Sequence, residues 1–285
     1  MLNKNVETFL GCAAEYAEAD IVLFGAPYDS TTSYRPGARF GSKAIRSESF
    51  GIELFSPYQR RDLREVAVFD SGDLELPFGE GELTLAAIEE RCATILRDDK
   101  LPIMLGGEHS VTLGAIRAMV KKFPNLQIIH FDAHCDLRAD YLGARYSHGS
   151  VMRRAWELVG DGRIHQFGIR SGDLDEYNWA AAGHVKLHEF DFTELAGTIA
   201  EIGDKPVYLT IDLDVLDPSV FPGTGTPEAG GVSFLQLLGA VLDICRELRV
   251  VGCDLVELAP PLDSSGISTA TACKLLRELL LALKV

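Results

Sequence analysis

The sequence predicts an α/β protein in which a mostly parallel sheet is covered by helices on both faces. Three observations lead there. Short β-rich runs alternate with helical patterns along the chain, with about eight strands in all. Each strand run is near-continuously apolar, as expected of strands buried on both faces. No linker-like or low-complexity segment interrupts the 285 residues, so a single domain spanning 1–285 is expected. Strand order cannot be read from alternation, and a (β/α)8 barrel stays open as the second architecture.

The elements follow in order. "IVLFGAP" (21–27) reads as a buried strand closed by Gly25 and Pro27, and "REVAVFDSGD" (64–73) as a strand leading into a turn. "ELTLAAIEERCATILRDD" (82–99) carries apolar residues at helical spacing. "LPIMLGG" (101–107) is a strand ended by a Gly-Gly turn, and "HSVTLGAIRAMVKKF" (109–123) continues as a helix. "LQIIHFDAH" (126–134), "RIHQFGIR" (163–170), "PVYLTIDLDV" (206–215) and "VVGCDLVELA" (250–259) read as strands. "VMRRAWELV" (151–159), "SFLQLLGAVLDICREL" (233–248) and "ATACKLLRELLLALK" (270–284) read as helices.

Composition narrows the function. The apolar share of 47% and the charged share of 24% are those of a soluble globular protein. A formal net charge of -15 disfavours nucleic acid or an anionic membrane as partner and suits a cationic small molecule. The six cysteines form no CxxC pair and lie in core-like segments, which predicts reduced, buried thiols. No apolar run approaches the ~18 residues of a membrane span, and the acidic N-terminal stretch does not read as a signal peptide. A cytoplasmic protein is expected.

In either architecture, function gathers at the carboxyl ends of the strands. "GGEHS", "FDAHCD", "DLD" and "VELAPP" all stand there, so four strand ends carry acidic or imidazole groups toward one rim. Side chains of an extended segment alternate between faces. Asp132, His134 and Asp136 would share one face if extension persists, and so would Asp212 and Asp214. With His109 they make four carboxylates and two imidazoles. Massed carboxylates repel unless cations neutralise them, and two divalent ions would balance four Asp. An oxygen-rich set with imidazoles and no evident thiolate favours Mn²⁺. Cys135, lying between ligands, should face away and pack. Taken singly, each Asp is more often a turn or cap residue; the repeated spacing on two strands carries the metal reading.

"GGEHS", "FDAHCDLR", "SHGS", "TIDLDVLDPS" and "PGTGTPEAGG" together resemble the ureohydrolase family, which includes arginases and agmatinases. The resemblance runs from "GAPYDSTTSYRPGARFGSKAIR" (25–46) to "DLVELAPPLD" (254–263) and the last helix. It implies a three-layer α/β/α fold with a mostly parallel eight-stranded sheet. It also implies two Mn²⁺ per subunit. His109, Asp132, Asp136 and Asp212 would hold one, and His134, Asp132, Asp212 and Asp214 the other, with Asp132 and Asp212 bridging. The implied reaction is hydrolysis of a guanidinium group to urea and an amine. Asp136 would orient the nucleophile, His148 would shuttle a proton, and Glu257 would bind the guanidinium. Taken alone, His148 reads as a surface residue at a helix start, and Glu257 reads equally well as half of a buried salt bridge.

Other residues receive plainer roles. Glu108, beside His109, is expected to support the ligands or start the helix. His130 should pack deeper on the ligand face. His165, His184 and His188 match no motif. The glycines of "GTGTPEAGG" (223–231) are out of register for a phosphate cradle, which leaves a turn-rich loop over the site.

The substrate expected is a small cationic guanidine. "DLR" followed by an acidic residue and "YLG", together with "PGTGTPE" and "FGIRSG", resembles the family's bacterial agmatinases. Agmatine, a dication at pH 7, suits an acidic chain. Arg138 could repel its ammonium and instead bind a carboxylate, which keeps 4-guanidinobutyrate and arginine open. Alternatively Arg138 pairs with Asp140 or with a neighbouring subunit. A homo-oligomer, trimer or hexamer, is implied by the family. A metal-binding protein without activity would be expected to lack a ligand, the shuttle histidine or the guanidinium carboxylate, and all are present. No G-x-S-x-G elbow supports a serine hydrolase.

Overall fold

The structure, a computed structural model, describes residues 7–284. In chain order its strands are β1 (Ile21–Ala26), β2 (Phe55–Ser56), β3 (Arg61–Asp62), β4 (Val68–Asp73), β5 (Leu101–Gly106), β6 (Gln127–Phe131), β7 (Ile164–Ile169), β8 (Lys186–Glu189), β9 (Pro206–Asp212) and β10 (Arg249–Val256). Apart from the β2–β3 hairpin they form one sheet of eight parallel strands in the order β4-β1-β5-β10-β9-β6-β7-β8. The sheet is open, with β4 and β8 as its edges, so the barrel alternative is ruled out.

The helices are α1 (Gly41–Glu48), α2 (Gly81–Arg97), α3 (Thr112–Lys122), α4 (Val151–Val159), α5 (Leu174–Trp179), α6 (Leu195–Ile202), α7 (Phe234–Glu247) and α8 (Ile267–Ala282). Strand alternation divides the core into two layers. Ile21, Leu23, Ile103, Leu105, Leu209 and Ile211 pack with Ile45 of α1, Val241 of α7 and Leu276 of α8. Val22, Phe24, Met104 and Ile128 pack on the other face with Ile88 of α2, Ile116 of α3 and Met152 of α4. The three layers are those the sequence predicts. All six cysteines are free and buried, and no helix among the described residues is long and apolar enough to cross a membrane.

Three departures from the sequence reading have local causes. Strand β4 begins at Val68 rather than 64, because Leu63–Glu65 form a 3-10 turn with a capping box from Asp62. Strand β8, "KLHE", is half-buried at an edge and offers no apolar run to find. Strands β6 and β9 stop at Phe131 and Asp212, short of the expected 134 and 215.

The last difference shapes the site. Asp136 has φ 54°, a left-handed turn, and Asp214 lies in the 3-10 turn Leu213–Val215. Persistent strand alternation is therefore not what gathers the carboxylates. Tight turns at the ends of β6 and β9 do so instead. The turn after β5 is equally tight. A Cβ on Gly107 would stand 2.1 Å from the Tyr28 carbonyl oxygen, so only glycine lets the chain pass there to His109.

Candidate metal centre and active site

Strands β5, β10, β9 and β6 are neighbours at the centre of the sheet. The chain leaving β5 delivers His109, the end of β10 delivers Glu257, the end of β9 delivers Asp212 and Asp214, and the chain leaving β6 delivers Asp132, His134 and Asp136. Asp132, Asp136, Asp212, Asp214 and His109 are all buried, and His134 is partly exposed.

The imidazole of His109 sits at the centre. Its Nδ1 lies 3.0 Å from Asp132 Oδ2, 3.1 Å from Asp212 Oδ2 and 3.4 Å from Asp136 Oδ2. Yet Nδ1 makes no hydrogen bond among the described residues. A buried ring nitrogen ringed by carboxylate oxygens, none in hydrogen-bond geometry, is what a cation site requires. Oxygens and nitrogens bound at about 2.1 Å on orthogonal axes are separated by about 3 Å. His134 forms a second focus, with Nδ1 3.1 Å from Asp214 Oδ2 and 3.4 Å from Asp132 Oδ1. The two oxygens of Asp132 thus face different imidazoles, the arrangement expected of a bridging carboxylate.

Backbone and side-chain donors fix these carboxylates. Asp132 Oδ1 accepts from His134 N at 2.6 Å, Asp212 Oδ1 from Asp214 N at 2.9 Å, and Asp214 Oδ1 from Ala133 N at 3.1 Å. His130 Nε2 is 2.7 Å from Asp132 Oδ2, and Gln166 Nε2 is 2.9 Å from His130 Nδ1. Since the amide donates to Nδ1, Nε2 carries the proton that Asp132 accepts. His130 could be counted with His109, Asp132 and Asp136 as a metal-holding group, but both its nitrogens are committed. It orients Asp132 from the deeper position expected of it.

Charge follows from this crowding. Burial would lower the His109 and His134 pKa values, but the facing carboxylates raise both well above the ordinary range. Burial, reinforced by neighbouring carboxylates, raises Asp136 and Asp212 well above theirs. Each of these shifts favours holding a proton, and divalent cations bound among the same groups would displace such protons.

Beside the cluster lies a cavity of about 250 Å³ lined by His134, Asp136, Arg138, Tyr141, His148, Asp173, Glu176 and Thr226, among others. Larger grooves, of about 720, 700, 310 and 270 Å³, lie elsewhere and have no histidine in their walls. His148 opens the 3-10 turn before α4. Its Nδ1 is 3.4 Å from Thr31 Oγ1, its Nε2 is 3.4 Å from Ser33 Oγ, and its ring meets Tyr141 edge-on. Burial, with His134 and His109 nearby, pushes its pKa down to about 4. Glu257 does not line this cavity. Its Oε1 accepts from His109 N at 2.7 Å, and burial beside Glu108 pushes its pKa up to about 8. Glu108 stands at the start of the turn that follows it, but its side chain makes no cap hydrogen bond there. It binds the Thr31 backbone and hydroxyl at 2.8 and 2.6 Å, and Ser110 Oγ at 2.6 Å.

Arg138 does line the cavity, but the expected pairing with Asp140 is not formed. Its guanidinium binds Asp173, approaches Glu176 Oε2 at 3.7 Å and lies over the Tyr141 ring, 4.6 Å from its centroid. Asp173 and Glu176 close a capping box at the start of α5, so this partner lies 35 residues along the chain, where no local pattern reveals it. The sequence reading also misses Thr31, Ser33 and Tyr141. It does place the loop at 223–231 over the site: Thr226 lines the cavity, and Glu228 accepts from Ser171 Oγ at 3.0 Å. Cys135 is buried, as expected of a packing residue.

Residues 19–282 match the arginase family. The agmatinase of Bacillus subtilis is 47% identical over 277 residues, 96% of each chain. The solved agmatine ureohydrolase of Thermoplasma volcanium superposes with a TM-score of 0.90 at 33% identity, covering 98% of this chain and 94% of its own. A human mitochondrial guanidino acid hydrolase is 37% identical over 276 residues, 93% of this chain and 78% of its own.

Proposed function

Because the chain belongs to the arginase family, we propose that it hydrolyses agmatine to putrescine and urea. The similarity to the Bacillus subtilis agmatinase, at 47% identity across 96% of both chains, carries this reading. Net charge favours it too: a chain of formal charge -15 attracts a dication.

The residues present fit a pair of divalent ions. His109, Asp132, Asp136 and Asp212 would hold one, and His134, Asp132, Asp212 and Asp214 the other. Manganese suits this oxygen-rich set with two imidazoles. When bound, the pair would supply Lewis acidity and a water-derived nucleophile at neutral pH.

The chain's own groups do the rest. Hydrolysis forms a C–O bond at the guanidinium carbon and breaks the bond from that carbon to the nitrogen carrying the aminobutyl chain, which leaves as the amine. Asp136, at the cavity wall beside His109, orients the attacking oxygen. With a pKa of about 4, His148 is neutral at pH 7. It therefore accepts a proton first and passes it to the departing amine, which needs one to leave as putrescine. Thr31 and Ser33, at either ring nitrogen, hold its plane. Glu257, outside the cavity lining but joined to it through His109, is the carboxylate that the family resemblance assigns to the guanidinium. A cation beside it favours its ionised form, and its second oxygen is free of the His109 bond.

Arg138 favours a second reading, a guanidino acid such as 4-guanidinobutyrate, because its charge lines the cavity. Its pairing with Asp173 and its stacking on Tyr141 oppose that, since the guanidinium already has a carboxylate. The free thiols suit the reducing cytoplasm we assign to the protein.

The test is urea release by manganese-loaded protein from agmatine, arginine, 4-guanidinobutyrate and formiminoglutamate in parallel. Agmatine should show the highest kcat/KM. Faster turnover of arginine or of a guanidino acid would overturn the assignment.

A further inference from the structure

Beneath the metal-facing carboxylates runs a second buried polar row. Asp254 on β10 is the register partner of Thr210 on β9, which pairs in turn with His130 on β6. Two residues farther along the chain stand Asp212, at the end of β9, and Asp132, just past the end of β6. Asp254, Thr210 and His130 are fully buried.

Asp254 has no salt bridge to a cation among the described residues. Three hydroxyls serve it instead. Thr210 Oγ1 donates to Oδ1 at 2.6 Å, while Tyr208 Oη and Thr112 Oγ1 donate to Oδ2 at 2.7 and 2.9 Å. A buried carboxylate held only by hydroxyls is costly, and packing alone gives no reason to keep one there. The reason lies one bond farther on. A hydroxyl carries one proton, and Thr210 gives its proton to Asp254. Toward His109 Nε2, 2.9 Å away, Thr210 can only accept. Nε2 of His109 therefore keeps its proton whatever the charge of the ring, and it is Nδ1, facing the carboxylates of Asp132, Asp212 and Asp136, that is left to bind a cation.

We propose that Asp254, acting through the Thr210 hydroxyl, is a positioning residue that fixes the tautomer and orientation of His109 for one metal ion. The inference rests on the metal-centre reading above and adds a selective prediction. Among the described residues His134 has no such chain behind it, since its Nε2 meets Glu228 alone, at 4.0 Å. Breaking the chain should loosen the ion at His109 and spare the other.

The experiment is equilibrium dialysis of the full chain against buffered Mn²⁺ alone, with metal counted by elemental analysis. Wild type should bind two ions. Thr210→Val should weaken one of them by about 10- to 100-fold, and Thr210→Ser, which keeps the hydroxyl, should restore both. Asp254→Asn should weaken the same single ion, and it carries the test should Thr210→Val not fold. Wild-type affinity at both sites in Thr210→Val or Asp254→Asn would overturn the proposal. So would equal loss at both sites, or failure of Thr210→Ser to restore binding. In each of these cases the two-ion reading stands. Wild type binding no manganese would overturn both.

Discussion

Asp132 has the most demanding position in the molecule. One oxygen is shared between the His134 backbone and the face toward the His134 ring; the other takes the His130 proton and faces His109. Asp132→Ala should therefore cost both ions, leaving under one per chain by elemental analysis, whereas two retained ions would refute a bridging role. His148 makes the contrasting case. It touches no carboxylate of the cluster, so His148→Ala should keep both ions while lowering kcat by about 10²- to 10⁴-fold, the usual range for a lost acid–base group. Loss of metal from that variant would place His148 among the structural supports. The ligand candidates were all legible in the sequence because each sits in a short motif. Asp254 and Thr210 were not singled out, since their roles come from register between β9 and β10. Arg138 was visible as a problem, but its partner Asp173 was not.

At the scale of elements, the apolar runs were legible because each central strand is buried on both faces. Strand β8 and helix α5 were not, since an edge strand reading Lys-Leu-His-Glu and a six-residue helix carry too little periodicity. The carboxylates that strand alternation singles out do come together in the fold, but by a different route. Alternation needed extension past β6 and β9, where the chain instead turns sharply at Asp136 and Asp214. Strand β7 carries a further element-level consequence. His165 is buried there with Nδ1 unpartnered among the described residues and Nε2 3.3 Å from Gln127, and burial, helped by Lys186, pushes its pKa down to about 4. The unfolded chain takes this proton below about pH 6.5, and the folded chain only near 4. Between these values the unfolded state binds more protons, so stability falls as pH drops through the window and levels below it. His165→Gln in chelator-treated protein should remove that part of the slope, up to about 3 kcal/mol between pH 7 and 4. Urea midpoints measured at both pH values check it, and an unchanged slope would show that His165 protonates freely in the fold.

At the scale of the whole molecule, the open sheet concentrates function at one end. Four adjacent central strands each contribute a charged or imidazole group, and helices on both faces exclude water from beneath them. The surrounding charge of -15 acts at longer range. Agmatine carries two positive charges and 4-guanidinobutyrate no net charge, so raising ionic strength from about 0.01 to 0.15 M shortens screening from about 30 to 8 Å and should lower kcat/KM for agmatine several-fold. The value for 4-guanidinobutyrate should hardly move. A flat profile for agmatine would remove electrostatic steering from the account. In the reaction proposed here, the cluster adds water to the guanidinium carbon of agmatine and releases the whole carbon as urea. Product analysis of metal-stripped and manganese-restored protein tests it most directly. Stripped protein should show no turnover, and restored protein equimolar putrescine and urea; release of ammonia with the carbon retained on the amine, or turnover without metal, would rule this chemistry out.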